Sequence, residues 1–151
     1  TLLSGYSRFD KYYYYGDSNA LSNREIRGMK LFYNDLNCTS CHSGFNFSNG
    51  EIVNIGLYEK YNDVGKMRVS LNESDNGKFK VPTLRNLSVT YPYMHDGSMK
   101  SLNEVIDHYV SGGKMNSNKD KRIEPINITE NEKRDLIAFL ESLTDSSFIV
   151  R

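Results

Sequence analysis

Apolar positions recur in three stretches of the chain with the spacing of amphipathic helices. Each stretch follows a capping box, in which a Ser or Thr side chain caps the first turn and a Glu three residues later bonds back to the cap. The boxes begin at Ser22, Ser101 and Thr129. After each box, apolar residues recur with the spacing that places them on one face of a helix. The pattern predicts helices over 22–33, from 101 to the glycine pair at 112–113, and from 129 to about 143, and therefore an all-α fold.

The segments between these helices carry weaker patterns. Residues 43–76 show no sustained period and are punctuated by glycines, which predicts an irregular stretch. A loop of this length is unusual inside a compact domain, unless it forms the wall around a cofactor. The run 82–86 opens with Pro82 and is predicted as one short helical turn.

The first 21 residues are rich in aromatic side chains, with Tyr at positions 12 to 15. Two interpretations of this segment remain open. It packs on the surface of the domain, or it connects to an upstream region and docks an aromatic face between two domains. A length of 151 residues fits one domain. We therefore divide the chain into a connector from a missing upstream region over residues 1–21 and one domain over residues 22–151.

The composition narrows the classes of partner. Hydrophobic residues make up 38% of the chain, and no run approaches the roughly 18 apolar residues of a membrane-spanning helix. The formal net charge is zero, so nucleic-acid binding has no global electrostatic support. We expect neither a membrane span nor a nucleic-acid partner. The first residues lack a signal-peptide pattern, so an exported protein would be present here as a mature form or an excised piece.

The two cysteines of the chain are the strongest chemical signal. Cys38 and Cys41 are followed directly by His42. A disulfide redox pair would need a thioredoxin-like βαβ context, which the pattern lacks. A zinc site would need about four ligands, with His95, His108 or a carboxylate completing it. The third chemistry is covalent haem attachment, because one turn places both sulfurs for thioethers to the haem vinyl groups and the next residue points its imidazole at the iron. We favour haem c.

A bound haem would also explain the low apolar content, because a buried porphyrin adds core area that the side chains do not provide. Thioether attachment takes place outside the cytoplasm, so we expect a periplasmic or otherwise exported protein. The basic loop over 114–122 carries Lys114, Lys119, Lys121 and Arg122. It is interpreted as a solvated loop, with a docking patch for an acidic electron partner as the alternative.

Five runs of the sequence resemble the bacterial di-haem cytochrome c peroxidases and their MauG-type relatives. They are FKVPTLRN at 79–86, TYPYMHDG at 90–97, GMKLF at 28–32, NIGL at 54–57 and DLIAFL at 135–140. The resemblance implies an all-α, cytochrome c-like fold with three main helices around one covalent haem and long irregular loops. The resemblance is to the C-terminal domain of the two haem domains. This is the domain that first receives electrons. The N-terminal peroxidatic domain, which would be the main partner, is absent from this sequence.

The family function implied is reduction of hydrogen peroxide with electrons from a small redox protein. This chain would be the electron-transfer haem c domain and would not be catalytically competent alone. Two alternatives stay open, a stand-alone mono-haem c electron carrier and a MauG-like oxidase that acts on a protein or organic substrate. The resemblance also allows a homodimer.

The second axial ligand of the haem follows from the same resemblance. In the family it lies fourteen residues after the His of the PYxHDG motif, here His95, which leads to Tyr109. MauG-type members carry Tyr at this place and typical peroxidases carry Met. A phenolate stabilises ferric iron, whereas a thioether raises the potential. Met115, in the following loop, is the main alternative, followed by another Met or no side-chain ligand.

Further site residues are implied by resemblance. The backbone carbonyls of Thr90 and Pro92 match positions that bind calcium between the two domains. Lys80 matches a basic position that faces the peroxidatic haem. Arg85 is expected either to pair with a haem propionate or to make a structural contact with the backbone. His95 is expected near the haem as a hydrogen-bonded structural residue, not as a ligand.

Overall fold

The computed structural model describes residues 4–148, so residues 1–3 of the predicted connector and 149–151 of the predicted domain lie outside the described residues. The described part is mostly helical, with a small antiparallel sheet and long loops. The helices are α1 (Arg8–Tyr13), α2 (Asn23–Lys30), α3 (Met67–Ser70), α4 (Leu102–Val110) and α5 (Glu130–Ser142), and the strands are β1 (Ile52–Val53) and β2 (Phe79–Lys80). The predicted all-α class is confirmed for the described residues, with one pair of two-residue strands added.

The three predicted helices form α2, α4 and α5. Ser22 and Thr129 make complete capping boxes with the glutamates three residues on. The third box is only half formed, because the Glu104 carboxylate accepts from the Lys100 amide instead of the Ser101 amide. A further complete box at Ser7, with Asp in place of Glu, starts α1 and was not predicted. The signal was a capping residue followed three positions later by an acid.

Helix α2 packs directly on α5, and Gly28 makes this contact possible. A Cβ atom on Gly28 would lie 1.9 Å from the Asp135 carbonyl oxygen. Around this crossing, a cluster of edge-to-face phenylalanine rings fills the core, consisting of Phe9, Phe32, Phe47 and Phe139. Burying rings of this size supplies a large share of the hydrophobic stabilisation.

Helix α1 lies in the segment predicted as a connector. Its Phe9 has no exposed surface and makes edge-to-face contacts with Phe47 and Phe139, while Tyr13 at its end and Tyr15 just after it are 56% and 64% exposed. Residues 7–14 therefore pack into the same core as the rest of the domain. Whether this segment also joins an upstream region stays a prediction.

The predicted helical turn over 82–86 is wrong in position. Residues 81–84 have no regular secondary structure, the Val81 amide donates to the Glu51 carbonyl at 2.8 Å, and the 3-10 turn occupies Leu87–Val89. Asn86 directly precedes that turn with a φ of 63°. Within residues 4–148, no helix is both long enough and apolar enough to cross a membrane.

Candidate functional site

The Cys-x-x-Cys-His turn, residues 38–42, forms one wall of a cavity of about 430 Å³. The turn is a single 3-10 turn over Cys38–Ser40, entered through Asn37 with a φ of 54°. The amides of Cys41 and His42 both donate to the Cys38 carbonyl, at 3.3 and 2.9 Å. This closed turn brings Cys38, Cys41 and His42 to the same cavity.

His42 is held in the orientation that a metal ligand needs. Its Nδ1 lies 2.9 Å from the Phe47 carbonyl oxygen, so Nδ1–H donates there and Nε2 is left for another partner. Burial lowers the pKa of His42, and the bond to Phe47 only partly offsets that effect. The imidazole is therefore neutral at pH 7, which is the form that binds iron.

The rest of the cavity wall is mainly aliphatic and aromatic. It is drawn from β1, β2, the 79–95 segment, α4 and α5, with members such as Val53, Leu84, Leu87, Val105, Ile106, Leu136 and Leu140. Part of the irregular stretch after the Cys-x-x-Cys-His turn contributes to this wall, through Val53, Ile55, Leu57 and Tyr61. An apolar cavity of this size is typical of ligand and cofactor sites.

Tyr109 lies on α4 and lines the same cavity as Cys38, Cys41 and His42. Among residues 4–148, no group makes a hydrogen bond with its phenol oxygen. Burial raises the pKa of Tyr109 to about 12, and the neighbouring thiols of Cys41 and Cys38 add to the shift. A half-buried phenol that has no hydrogen-bond partner among the described residues, and that lines the same cavity as two thiols and an imidazole, is a candidate ligand for a bound cofactor.

The alternative ligand Met115 is placed elsewhere, since its side chain is 79% exposed and does not line the cavity. Met94 is the methionine of the described residues that does line the cavity. His108 is also separate from the cavity, because its Nε2 lies 3.0 Å from the Ile55 carbonyl. His95 lines the cavity and stacks on Phe79 at 3.7 Å.

The expected pairing of Arg85 with a haem propionate is not supported. Arg85 does not line the cavity, and its Nη1 and Nη2 donate to the buried Asp10 carboxylate at 2.9 and 2.8 Å. Its Nε donates to the Phe45 carbonyl at 2.8 Å, and the Phe45 ring lies 4.1 Å from the guanidinium. Arg85 has the alternative, structural role that includes a backbone contact, because each of its guanidinium nitrogens bonds to a group away from the cavity.

Two other cations line the cavity, Lys80 and Arg122. Arg122 belongs to the loop interpreted as solvated, and the structure shows it exposed, but its side chain also makes contacts outside the loop. Its guanidinium bonds to Asp120, Glu51 and the Ser40 carbonyl. The partners lie up to 82 residues away in the chain, so no local pattern could have indicated the contact.

Thr90 and Pro92 lie at the edge of the cavity. Among the described residues, no donor bonds to either of their carbonyl oxygens. Nearby, the Tyr58 hydroxyl donates to Asp96 of the PYxHDG motif at 2.6 Å. Calcium binding by these carbonyls stays a prediction.

The residues present fit a covalently attached haem. The cavity offers two thiols, one neutral imidazole with a free Nε2, a phenol on α4 and apolar walls. A zinc site fits less well, because residues 4–148 contain no group of three or more His, Cys, Asp or Glu side chains placed to hold a metal ion.

Comparison with known proteins gives consistent matches. The profile of the cytochrome c family matches residues 26–144. The methylamine utilization protein MauG of Methylorubrum extorquens is 38% identical to this chain, over 95% of the chain and 40% of MauG. The cytochrome-c peroxidase IdrP1 of Pseudomonas sp. strain SCT is 35% identical, over 97% of the chain and 47% of IdrP1.

A solved structure also matches closely. The crystal structure of a MauG-like protein associated with microbial copper homeostasis superposes with a TM-score of 0.88 and 34% sequence identity. The match covers 95% of this chain and 53% of that protein. The chain therefore spans roughly two-fifths to one-half of the length of these three proteins.

Proposed function

Since this chain belongs to the cytochrome c family, with MauG and cytochrome c peroxidases as its strong relatives, we propose that it is the electron-transfer haem c domain of a di-haem peroxidase. One observation carries the proposal: the two thiols, the imidazole and Tyr109 all line one apolar cavity. The matched proteins are about twice as long, which leaves room for a second haem domain.

When bound, haem c supplies a one-electron iron couple. Cys38 and Cys41 would hold the group through thioethers, and His42 would bind the iron through Nε2. The Phe47 carbonyl accepts from Nδ1, which fixes the ring and makes the imidazole a better donor. Tyr109 would be the second residue to hold the iron, and the aliphatic wall would limit the entry of water.

The two residues proposed to hold the iron determine which reaction steps this domain can carry out. If His42 and Tyr109 both held the iron, no position would stay open for peroxide, so this chain alone would pass electrons and would not cleave peroxide. Peroxide is reduced in the partner domain, which receives electrons that a small exported donor protein delivers here. Export follows from thioether attachment, and the Thr90 and Pro92 carbonyls are proposed to bind calcium at the contact between the two domains.

The test uses the intact protein that contains this domain. Peroxide turnover with a reduced small redox protein is expected from the intact protein and not from residues 1–151 alone. Replacing both Cys38 and Cys41 with Ala in the intact protein should abolish turnover with that donor. Turnover at the unaltered rate in the double variant would overturn the proposal.

A second function is favoured by one observation. Tyr109 at the cavity, where typical peroxidases carry Met, fits the MauG-like oxidase that acts on a protein or organic substrate. A low-potential haem accepts electrons poorly from an ordinary donor protein, because phenolate stabilises the ferric state. Peroxide-dependent oxidation of an organic substrate without any reduced donor would identify this function. A stand-alone mono-haem carrier is recognised instead by one haem in the intact protein.

A further inference from the structure

The side chain of Arg122 connects the basic loop to the Cys-x-x-Cys-His turn. Its Nη1 donates to the Ser40 carbonyl at 3.1 Å, and its side chain lines the cavity beside Cys41. Ser40 directly precedes Cys41 and lies two residues before His42. The contact therefore acts on the part of the turn that presents a thiol and the imidazole.

Arg122 is exposed, and several hydrogen bonds restrict its side chain. Its Nε and Nη2 donate to the two oxygens of Asp120 at 2.9 and 2.7 Å, and Nη2 also donates to Glu51 at 2.6 Å. Hydrogen bonds to Asp120 and Glu51 raise the pKa of Arg122 further above its usual value. Asp120 is fixed in turn by its amide, which donates to the Asn54 carbonyl at 2.9 Å. A planar guanidinium in a bidentate pair has little freedom to move.

The Cys-x-x-Cys-His turn depends on outside contacts at this end. Inside the turn, the Cys38 carbonyl accepts from the Cys41 and His42 amides. The Ser40 carbonyl points outward, where Arg122 and the Asn49 side chain both donate to it at 3.1 Å. The direction of the Ser40–Cys41 peptide is thus determined by Arg122 and Asn49.

We propose that Arg122 is a positioning residue of the haem site. Its guanidinium, oriented by Asp120 and Glu51, fixes the Ser40 carbonyl and so the direction in which Cys41 and His42 meet the cavity. The inference rests on the proposed function, because this orientation matters for a haem held by Cys41 and His42. It adds a loop 80 residues further along the chain to the parts that hold the cofactor.

Two substitutions with opposite charge effects separate positioning from electrostatics. Arg122→Gln and Asp120→Asn both loosen the link to Ser40, so hydrogen–deuterium exchange of residues 38–42 should rise about tenfold in both. The midpoint potential should fall in Arg122→Gln, which loses a positive charge, and rise in Asp120→Asn, which loses a negative one. Arg122→Lys keeps the charge with fewer donors and should give intermediate exchange with a potential near that of the wild type.

The matched control is Arg68→Gln, which removes a guanidinium from an ion pair with Asp63 on the surface and should change neither quantity. Shifts in the midpoint potential without faster exchange would mean that Arg122 acts only through its charge, and they would overturn the proposal. Faster exchange to the same extent in α5 would show general destabilisation and would also overturn it. A wild-type chain that matures without covalent haem would instead refute the proposed function, so the two failures are distinguishable.

Discussion

At the scale of single residues, Tyr109 has the largest predicted effect on the chemistry. It reaches the cavity from α4, while Met115 lies on the surface. We predict that Tyr109→Phe raises the midpoint potential and changes the ferric spectrum, because removing a phenolate destabilises Fe(III). Potentiometry and electron paramagnetic resonance on the matured chain measure both.

The control for this prediction is Tyr91→Phe, since the Tyr91 side chain is 68% exposed and does not line the cavity. It should leave the potential and spectrum as they are. If Tyr109→Phe behaved in the same way, another group would be the ligand, and Met94 would be the next methionine to substitute.

A second residue-scale prediction concerns the buried pair of Asp10 and Arg85. Burial alone would raise the pKa of Asp10, but the hydrogen bonds from Arg85 and Ser7 outweigh it and lower the pKa. Asp10→Asn leaves the Arg85 charge buried without its counter-ion and should cost about 3–5 kcal/mol in the free energy of unfolding. Urea denaturation at pH 7 measures this cost, and a loss below about 1 kcal/mol would contradict it.

The same pair predicts a pH dependence. A carboxyl whose pKa is lowered by folding contributes stability above its unfolded pKa, and that stability is lost as the pH falls through the folded value. The wild type should therefore lose stability on acidification below about pH 4. Asp10→Asn lacks this contribution, so its stability should fall less over the same range. Parallel losses in both proteins would refute the assignment to Asp10.

At the scale of elements, the contact of α2 with α5 makes a third prediction. A Cβ on Gly28 would lie 1.9 Å from the backbone oxygen of Asp135, which cannot move without shifting α5. Gly28→Ala should therefore destabilise the domain by about 1–3 kcal/mol or more. Thermal unfolding measures the change, with Lys30→Ala on the exposed side of α2 as the control. Equal stability of the two variants would contradict a close contact between α2 and α5 at Gly28.

The elements were predictable where their signals are local. The capping boxes at Ser22 and Thr129 gave the starts of α2 and α5, because the cap and the apolar stripe lie within one or two turns. The predicted turn over 82–86 was wrong in position, since the run follows Val81, whose amide bonds to Glu51, a residue far away in sequence. Helix α1 was overlooked although its signal is local, because its box has Asp in place of Glu and the helix is only 6 residues long.

At the scale of the whole molecule, the residues of the site also divide into those with a local sequence signal and those whose contacts join distant parts of the chain. Cys38, Cys41 and His42 could be identified from spacing alone, because one turn brings them together. The links of Arg122 to Ser40 and of Arg85 to Asp10 span 82 and 75 residues. Such pairs exist only after the chain has folded around its core, so no sequence period reveals them. The resemblance placed Tyr109, and the structure puts it at the cavity.

The central claim is that this chain carries one covalent haem c. The most direct measurement is the intact mass of the chain after periplasmic expression with the haem-attachment machinery, together with a pyridine haemochrome spectrum. We predict the mass of the 151-residue polypeptide plus one haem, and a haemochrome typical of two thioether bonds. A mass equal to that of the bare polypeptide, with no haemochrome absorption, would contradict the account.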